Sequence, residues 1–485
     1  MIKRKFKLIY GLATAAALAV SVTVLAMPQD HIWKAQHETA QAKPVCTQHD
    51  DSVFCSHLPV ISIETNGQEI PGMQREKDVI TTDVKVYDSQ TANNHLTDQP
   101  ALTMLANIRY RGNSSLHFDK HSYYFKTVNE NGEAEDYSIM GMPEHSDWVL
   151  NGPFLDKTLM RNYMAMNLYG KISGYAPRVR YCELWLDGSY QGVYLMMERV
   201  SQGEERVNIT QTDEDDPFCS YIIRLDRGDT PENELNSFSE YAMKLSPDTP
   251  LNKFAINVEY PGALNLTEEK KAYIEDDLSR IEKAIYSYDY DSKEYGYTAL
   301  LDVDSFVDYF IFNEFLQNYD AGAYSTYFYK DIRGKLTAGP VWDFNNACDN
   351  YMETAFDGTG FSLQDGYLYF MLMKDEKFVE KIIERYRELR EGVLSEEYLM
   401  DFIDDTEAYL GDAVDRNYSV WGYSFQAEKL DNWNRLLPVD RNPSSYEEAV
   451  EDLKKFLVKR GDWMDENIEN LRQYCHESAN KRFNH

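Results

Sequence analysis

NYDAGAYSTYFYKDIRGKLTAGPVWDFNNACDN, residues 318–350, decides how this chain is read. Ser325–Lys330 (STYFYK) and Leu336–Trp342 (LTAGPVW) are rich in β-branched and aromatic residues, and Arg333-Gly334-Lys335 falls between them. The pattern predicts a hairpin. Asp320 precedes its first strand and Asp343 follows its second. Residues flanking a hairpin emerge at its open end, so the spacing predicts two neighbouring carboxylates. Such a pair can divide labour, one accepting a proton and the other holding a divalent metal. The competing reading gives Asp320 to local backbone amides and Asp343 to a structural ion pair.

The spacing carries a second signal. In protein kinases a catalytic-loop aspartate is followed five positions later by a metal-binding asparagine, and a hairpin then leads to a metal-binding aspartate. Here Ser325 stands at that offset from Asp320, and Asp343 opens Asp343-Phe344-Asn345. Ser325 is a weaker metal ligand than asparagine.

Upstream of the hairpin the chain reads as strands: Leu58–Ile63, Ile80–Tyr87, Ala106–Tyr110, Ser122–Val128, Arg178–Trp185 and Gln191–Val200. Asp187-Gly188 is a hairpin turn between the last two. Leu159, Met160, Tyr163, Met164 and Leu168 recur at helical spacing over Lys157–Ile172. Thr267 reads as the N-cap of a helix with Ile274, Leu278, Ile281 and Ile285 on its apolar stripe, and Asp304 as the cap of another. Helical patterns fill Phe378–Val393, Glu396–Val414, Ser445–Phe456 and Trp463–Gln473. The fold class is α+β: a sheet-rich N-terminal part, then a mainly helical part interrupted by one hairpin.

Lys3, Arg4, Lys5 and Lys7 precede an uncharged apolar run, Leu8–Met27. A basic flank and an apolar segment read as an export signal. Val24-Leu25-Ala26 offers a cleavage site, yet the run also reaches the roughly 20 residues that span a bilayer. Either way the bulk of the chain is expected outside, secreted or anchored. Residues 28–57 read as a polar tether. In that compartment Cys46 and Cys55 are spaced to close a small disulfide ring, and Cys182 falls in an apolar strand pattern as a buried thiol. No CxxC spacing points to zinc. The net charge of -32 excludes nucleic-acid binding and confines membrane contact to residues 8–27, because phosphate recognition needs clustered cations. No Walker A, GxSxG or HExxH motif is present. The 36 Tyr and 7 Trp fit a packed core better than a sugar cleft.

Several motifs fall in an order that resembles the CotH kinase-like family of spore coat proteins over residues 58–475. They are Arg111-Gly112-Asn113-Ser114-Ser115, then Lys120, Ser122-Tyr123 and Lys126, then Trp148-Val149-Leu150, Asp156 and Met160-Arg161-Asn162. Leu186–Tyr194 with Glu198, Asp320, Ser325-Thr326-Tyr327 and Gly339–Phe344 complete the set. The resemblance implies a divergent protein-kinase-like fold and transfer of phosphate from ATP to Ser or Thr of an exported or surface protein, with Mg²⁺ or Mn²⁺. It implies that Asp320 orients or deprotonates the acceptor hydroxyl. Asp343 holds the metal with help from Ser325 or Asn345, and Lys126 neutralises nucleotide phosphates. Arg111 and Lys120 add charge, and Glu198 pairs with one of these cations. Two departures favour a weakly active or non-catalytic binding module on the same fold: Asn345 where many relatives carry aspartate, and Ala321-Gly322-Ala323 where relatives often carry tyrosine and arginine. The domain plan is an export segment (1–27), tether (28–57), CotH-like domain (58–475) and polar tail (476–485).

Overall fold

The computed structural model describes residues 33–44, 54–72, 78–213, 216–227, 235, 254–350, 357–435 and 437–475. The export segment, Cys46 and the polar tail lie outside them. Among the described residues no helix is long and apolar enough to cross a membrane.

Seven strands close a barrel: β1 (Val60–Glu64), β2 (Ile80–Tyr87), β3 (Leu102–Arg111), β4 (Ser122–Val128), β5 (Asp147–Asn151), β6 (Val179–Leu186) and β7 (Ser189–Glu198). Around the wall they run β1-β2-β3-β4-β5-β7-β6, and β6 closes onto β1 in parallel. Alternation explains the wall, because period-two side chains point in and out by turns. In β3, Met104, Ala106 and Ile108 enter the core, and Arg109 and Arg111 face outward; in β4, Tyr123 and Phe125 enter it and Lys126 does not. Trp148, Leu150 and Met196 complete the filling. The β6–β7 turn is the expected one, with Asp187 (φ 46°) and Gly188 (φ 71°) both left-handed. The Asp187 carboxylate also accepts from Thr65 N at 2.7 Å, tying the turn to β1.

A second sheet has the order β11-β10-β8-β9, from β8 (Tyr221–Asp226), β9 (Ala255–Tyr260), β10 (Thr326–Lys330) and β11 (Thr337–Ala338). The hairpin is therefore the outer half of a four-stranded sheet rather than an interruption among helices. Strands β8 and β9 are short, with Arg224, Asp226 and Glu259 along them, so they lack an obvious apolar signature.

Among the described residues seven longer helices accompany the sheets: α1 (Arg161–Ser173), α2 (Glu268–Tyr286), α3 (Val303–Phe315), α4 (Glu376–Arg390), α5 (Glu396–Leu410), α6 (Ala413–Trp421) and α7 (Tyr446–Asn467). Thr267 caps α2 as expected, its side chain accepting from Lys270 N. Asp302 rather than Asp304 stands at the start of α3. The predicted Glu396–Val414 helix breaks at Gly411, and α7 joins the Ser445–Phe456 pattern to the start of the Trp463–Gln473 one, whose remainder tightens into a 3-10 helix, Ile468–Tyr474. Part of the stretch read as a tether is packed. Ala35 is fully buried, and the Gln36 side chain accepts from Tyr181 N at 2.6 Å, because β6 leaves that backbone group without a ladder partner there. Cys55 is disulfide-bonded, and Cys182, Cys219, Cys348 and Cys475 are free thiols.

Candidate active site

Helix α3 delivers the first aspartate. Its end is fixed by a fully buried ion pair, Glu314 with Arg460 of α7 at 3.1 Å, and Arg460 Nε also donates to the Glu314 carbonyl at 3.0 Å. The Asn318 amide donates to Asn313 Oδ1 at 3.1 Å, and the chain then turns through Asp320, whose carbonyl accepts from Tyr324 N at 2.8 Å. Gly322 makes this turn possible. Its φ is 83°, and a Cβ there would lie 2.6 Å from Leu363 Cδ1.

The second aspartate follows β11. Asp343 adopts left-handed backbone (φ 59°), which aspartate tolerates better than most residues. Asn162 of α1 holds the turn: its Oδ1 accepts from Phe344 N at 2.7 Å, and its Nδ2 donates to Asn345 Oδ1 at 3.0 Å. Asn345 Nδ2 in turn donates to Asp343 Oδ1 at 2.7 Å, and Asn346 Nδ2 reaches Asp320 Oδ2 at 3.3 Å.

The Asp320 carboxyl senses the charge of Asp343. Burial, followed by the negative charge of Asp343, pushes the Asp320 carboxyl up to about 7, against the pull of Arg227 and Asn346. Burial also raises Asp343, opposed chiefly by Arg111. Asp226, at the end of β8, repels both. Among the described residues no three acidic, imidazole or thiol groups form a complete metal cage. Two under-compensated carboxylates do fit a magnesium ion, which usually takes one or two carboxylates and completes its shell with water and phosphate oxygens.

A cationic layer lies beside them. Arg111 stacks over Trp342 with its guanidinium carbon 5.6 Å from the ring centroid, and its neighbours include Asp343, Tyr327, Arg199 and Arg224. Arg224 Nε and Arg199 Nη2 clamp Glu259 at 2.7 and 2.9 Å. Burial disfavours the Glu259 charge, but the two guanidiniums pull its carboxyl below the usual range. Arg227 lies 4.1 Å from the Tyr324 ring centroid, on the chain that leads into β10.

Of the residues singled out from the sequence, Asp320, Asp343, Asn345 and Arg111 meet here. Lys126 is on the outer barrel wall, paired with Asp147 at 3.6 Å, and Asp147 in turn attracts Arg199. Ser325 heads β10 with φ 49°, and no hydrogen bond joins it to either aspartate. Lys120 is not brought to this group. Its ammonium is buried against the Val193 carbonyl (2.7 Å) and Asn417 Oδ1 (2.8 Å), where it joins α6 to the barrel. Glu198 pairs with Arg178 at 3.1 Å and not with Arg111, Lys120 or Lys126, since it sits at the β7 end beside the Arg178 backbone. Asp226, Arg227, Arg199 and Arg224 were not singled out. The sequence signal of Arg224, Asp226 and Arg227 is a charged end on a short apolar run, Tyr221–Arg227, and Arg199 stands near the end of the strand-like run Gln191–Val200.

The architecture and site define a mixed α+β protein with a carboxylate pair at the open end of a hairpin, flanked by arginines. The family model for the CotH kinase protein matches residues 108–464, so the chain belongs to the CotH family. That family suggests a kinase-like function using ATP and a divalent metal. The closed seven-stranded barrel is a feature that the expected kinase-like layout did not include. No curated protein matches the sequence.

Proposed function

We propose that this chain is a CotH-type atypical protein kinase, of divergent kinase-like fold, that transfers phosphate from Mg-ATP to Ser or Thr of an exported or surface-coat protein. The observation that carries this reading is Asp320. Its carboxyl titrates near 7 beside a second, metal-competent carboxylate, which matches a general base to neutral working pH. In this scheme the acceptor hydroxyl oxygen attacks the γ-phosphorus, the bond to the β–γ bridging oxygen breaks, and the hydroxyl proton passes to Asp320. Asp343 holds the metal, and Arg111, with Lys126 further along the wall, faces the nucleotide phosphates. A bound Mg²⁺ or Mn²⁺ supplies neutralisation of the phosphate charge. Asn345 braces Asp343 through its amide N–H, and its Oδ1, which accepts from Asn162, keeps a second lone pair with which it would help hold the metal. The export signal at residues 8–27 directs the site to the outside, secreted or anchored.

Labelled ATP, Mg²⁺ or Mn²⁺ and a generic protein acceptor test it. Transfer that persists in both Asp320→Ala and Asp343→Ala rules out this site.

The neutral asparagine at 345, beside the proposed metal site, also favours a second reading, a catalytically weak extracellular binding module. Thermal unfolding separates the two. Saturating ATP with Mg²⁺ should add about 2–4 kcal/mol of apparent stability to a nucleotide-binding protein and nothing to a module without such a site.

A further inference from the structure

The segment that follows the Asp343 turn forms a wall of a separate cavity of about 390 Å³, lined among others by Lys157, Arg161, Cys348, Asp349, Arg441 and Lys455. Most of the charge around it is already matched. Arg161 binds Asp156 at 2.7 Å, Arg441 binds Asp349, Lys455 lies 3.7 Å from Asp452, and Lys459 lies 3.2 Å from Asp357. Asp440 is exposed to solvent.

Lys157 is the exception. It is 4% exposed, yet no described residue hydrogen-bonds its ammonium. Other deeply buried lysines are served: Lys120 by Val193 and Asn417, Lys270 by the Asp213 and Asn265 carbonyls, Lys330 by Asp277 at 3.0 Å. The Lys157 ammonium has no hydrogen-bonding partner among the described residues and is not sealed off from the cavity, and charges on buried side chains in folded proteins are paired or ligand-bound.

We propose that this cavity binds a small anion bearing a phosphate or carboxylate group, whose oxygens accept from Lys157 Nζ. The volume is that of a small-molecule site. Asp156 binds Arg161 and its charge also favours the Lys157 ammonium, so the deep end of the cavity holds two cations to one carboxylate. Burial lowers the Lys157 ammonium to about 8, which leaves it mainly charged at neutral pH. The thiol of Cys348, pushed up to about 12 by burial, supplies no competing anion. The site is distinct from the aspartate pair but shares a wall with it. Asn350 Nδ2 donates to the Asn345 carbonyl at 2.6 Å, and Arg161 Nε to the Ala347 carbonyl at 3.0 Å.

Thermal unfolding of the full-length protein with inorganic phosphate or succinate, each at about 10 mM against sodium chloride of equal ionic strength, tests the proposal. A rise in Tm is expected in one arm, which assigns the anion class, and it should weaken at least tenfold in dose in Lys157→Met. The response should survive in Asp343→Asn, which separates it from the proposed nucleotide site. No rise beyond chloride in either arm, or an undiminished rise in Lys157→Met, overturns the proposal. Should that variant not fold, amine acylation of the wild-type protein read by mass spectrometry replaces it. The responding anion should protect Lys157 several-fold and leave Lys455 unchanged, and equal labelling of Lys157 with and without the anion overturns the assignment.

Discussion

The barrel and the second sheet use the same strand geometry for opposite ends. Inside the barrel, Ile61, Val84, Ile108, Phe125, Trp148 and Leu150 are buried against one another without a charged side chain among them. Around the second sheet, Arg224, Asp226, Glu259 and Tyr327 meet Arg111, Arg199 and Asp343 in a layer dominated by charge. Backbone strain follows the same division. Gln317, Ser325, Asp343, Cys348 and Asp349 all have positive φ within the short stretch around the hairpin, whereas inside strands β1–β7 only Gly192 does, the left-handed residues Asn66, Met140, Leu159 and Asp187 lying in the connections between strands. Left-handed non-glycine residues cost about 1 kcal/mol or more apiece and persist where surrounding contacts over-determine them. The barrel supplies the stability, and the hairpin region holds charges and backbone that are unfavourable alone.

That division can be broken most sharply at the aspartates. Asp343→Asn keeps a residue that tolerates φ 59° but removes the charge proposed to hold the metal. Phosphate transfer should fall about a thousandfold, roughly 4 kcal/mol of barrier, in a steady-state ATP assay, with circular dichroism and Tm unchanged or slightly raised. Proportionate loss of stability and activity would mean that Asp343 belongs to the scaffold.

The barrel should answer in reverse. Leu150, fully buried on β5, loses its methyl groups into a closed core in Leu150→Ala. Urea unfolding should show a loss of about 3 kcal/mol, while activity per folded molecule stays near wild type. A specific activity that collapses at low urea, where the protein is still folded, would show that the barrel shapes the site directly.

The same division explains what could be read from the chain. Strands β2 and β4 match their expected limits because buried and more open residues alternate through the middle of Ile80–Tyr87 and Ser122–Val128. The hairpin was legible because its turn and β-branched residues are local. The barrel closure was not: β1 meets β6 in parallel across more than a hundred residues, and no local pattern encodes that pairing. Strands β8 and β9 hid because a third of each is polar or charged, Arg224 and Asp226 on one and Asn257 and Glu259 on the other, and the Arg224–Glu259 pairing forms only once the two strands meet. Likewise Lys120 reads as a surface cation until α6, three hundred residues on, brings Asn417 over it. Asp320 and Asp343 emerged because flanking a hairpin is a sequence-local property. Their surroundings, Asn162, Asp226 and Arg227, are assembled only by folding.

A pH series sharpens the comparison further. The Asp320 carboxyl titrates near 7 in the folded chain and near 3.9 unfolded. Between those values the folded state holds a proton that the unfolded chain has lost, so the stability from this group is full below about pH 4 and is lost as pH rises through 7. Asp320 is partly open to solvent, which reduces the bare shift, and about 2 kcal/mol is the expected loss. Measured without metal, Asp320→Asn should therefore raise stability at pH 8 and leave it almost unchanged at pH 4. Equal effects at both pH values would show that the carboxyl is not held neutral by its surroundings.

The smallest effect belongs to the brace between the two regions. Asn162 sits on α1 next to the barrel, with its Nδ2 3.3 Å from Asn151 Oδ1 of β5, yet its Oδ1 and Nδ2 hold Phe344 and Asn345. Asn162→Ala leaves the buried Phe344 N–H without a partner, a loss of about 1 kcal/mol in stability. It also frees the Asn345 amide that orients Asp343. Groups that orient a ligand typically change metal affinity by about tenfold or more when removed, so Mn²⁺ affinity measured by titration should weaken by that factor while Leu150→Ala leaves it alone. Asn162→Asp restores the acceptor for Phe344 N–H but turns a second carboxylate oxygen toward Asn345 Oδ1. It should recover the stability and not the affinity, and recovery of both would assign Asn162 to the scaffold alone.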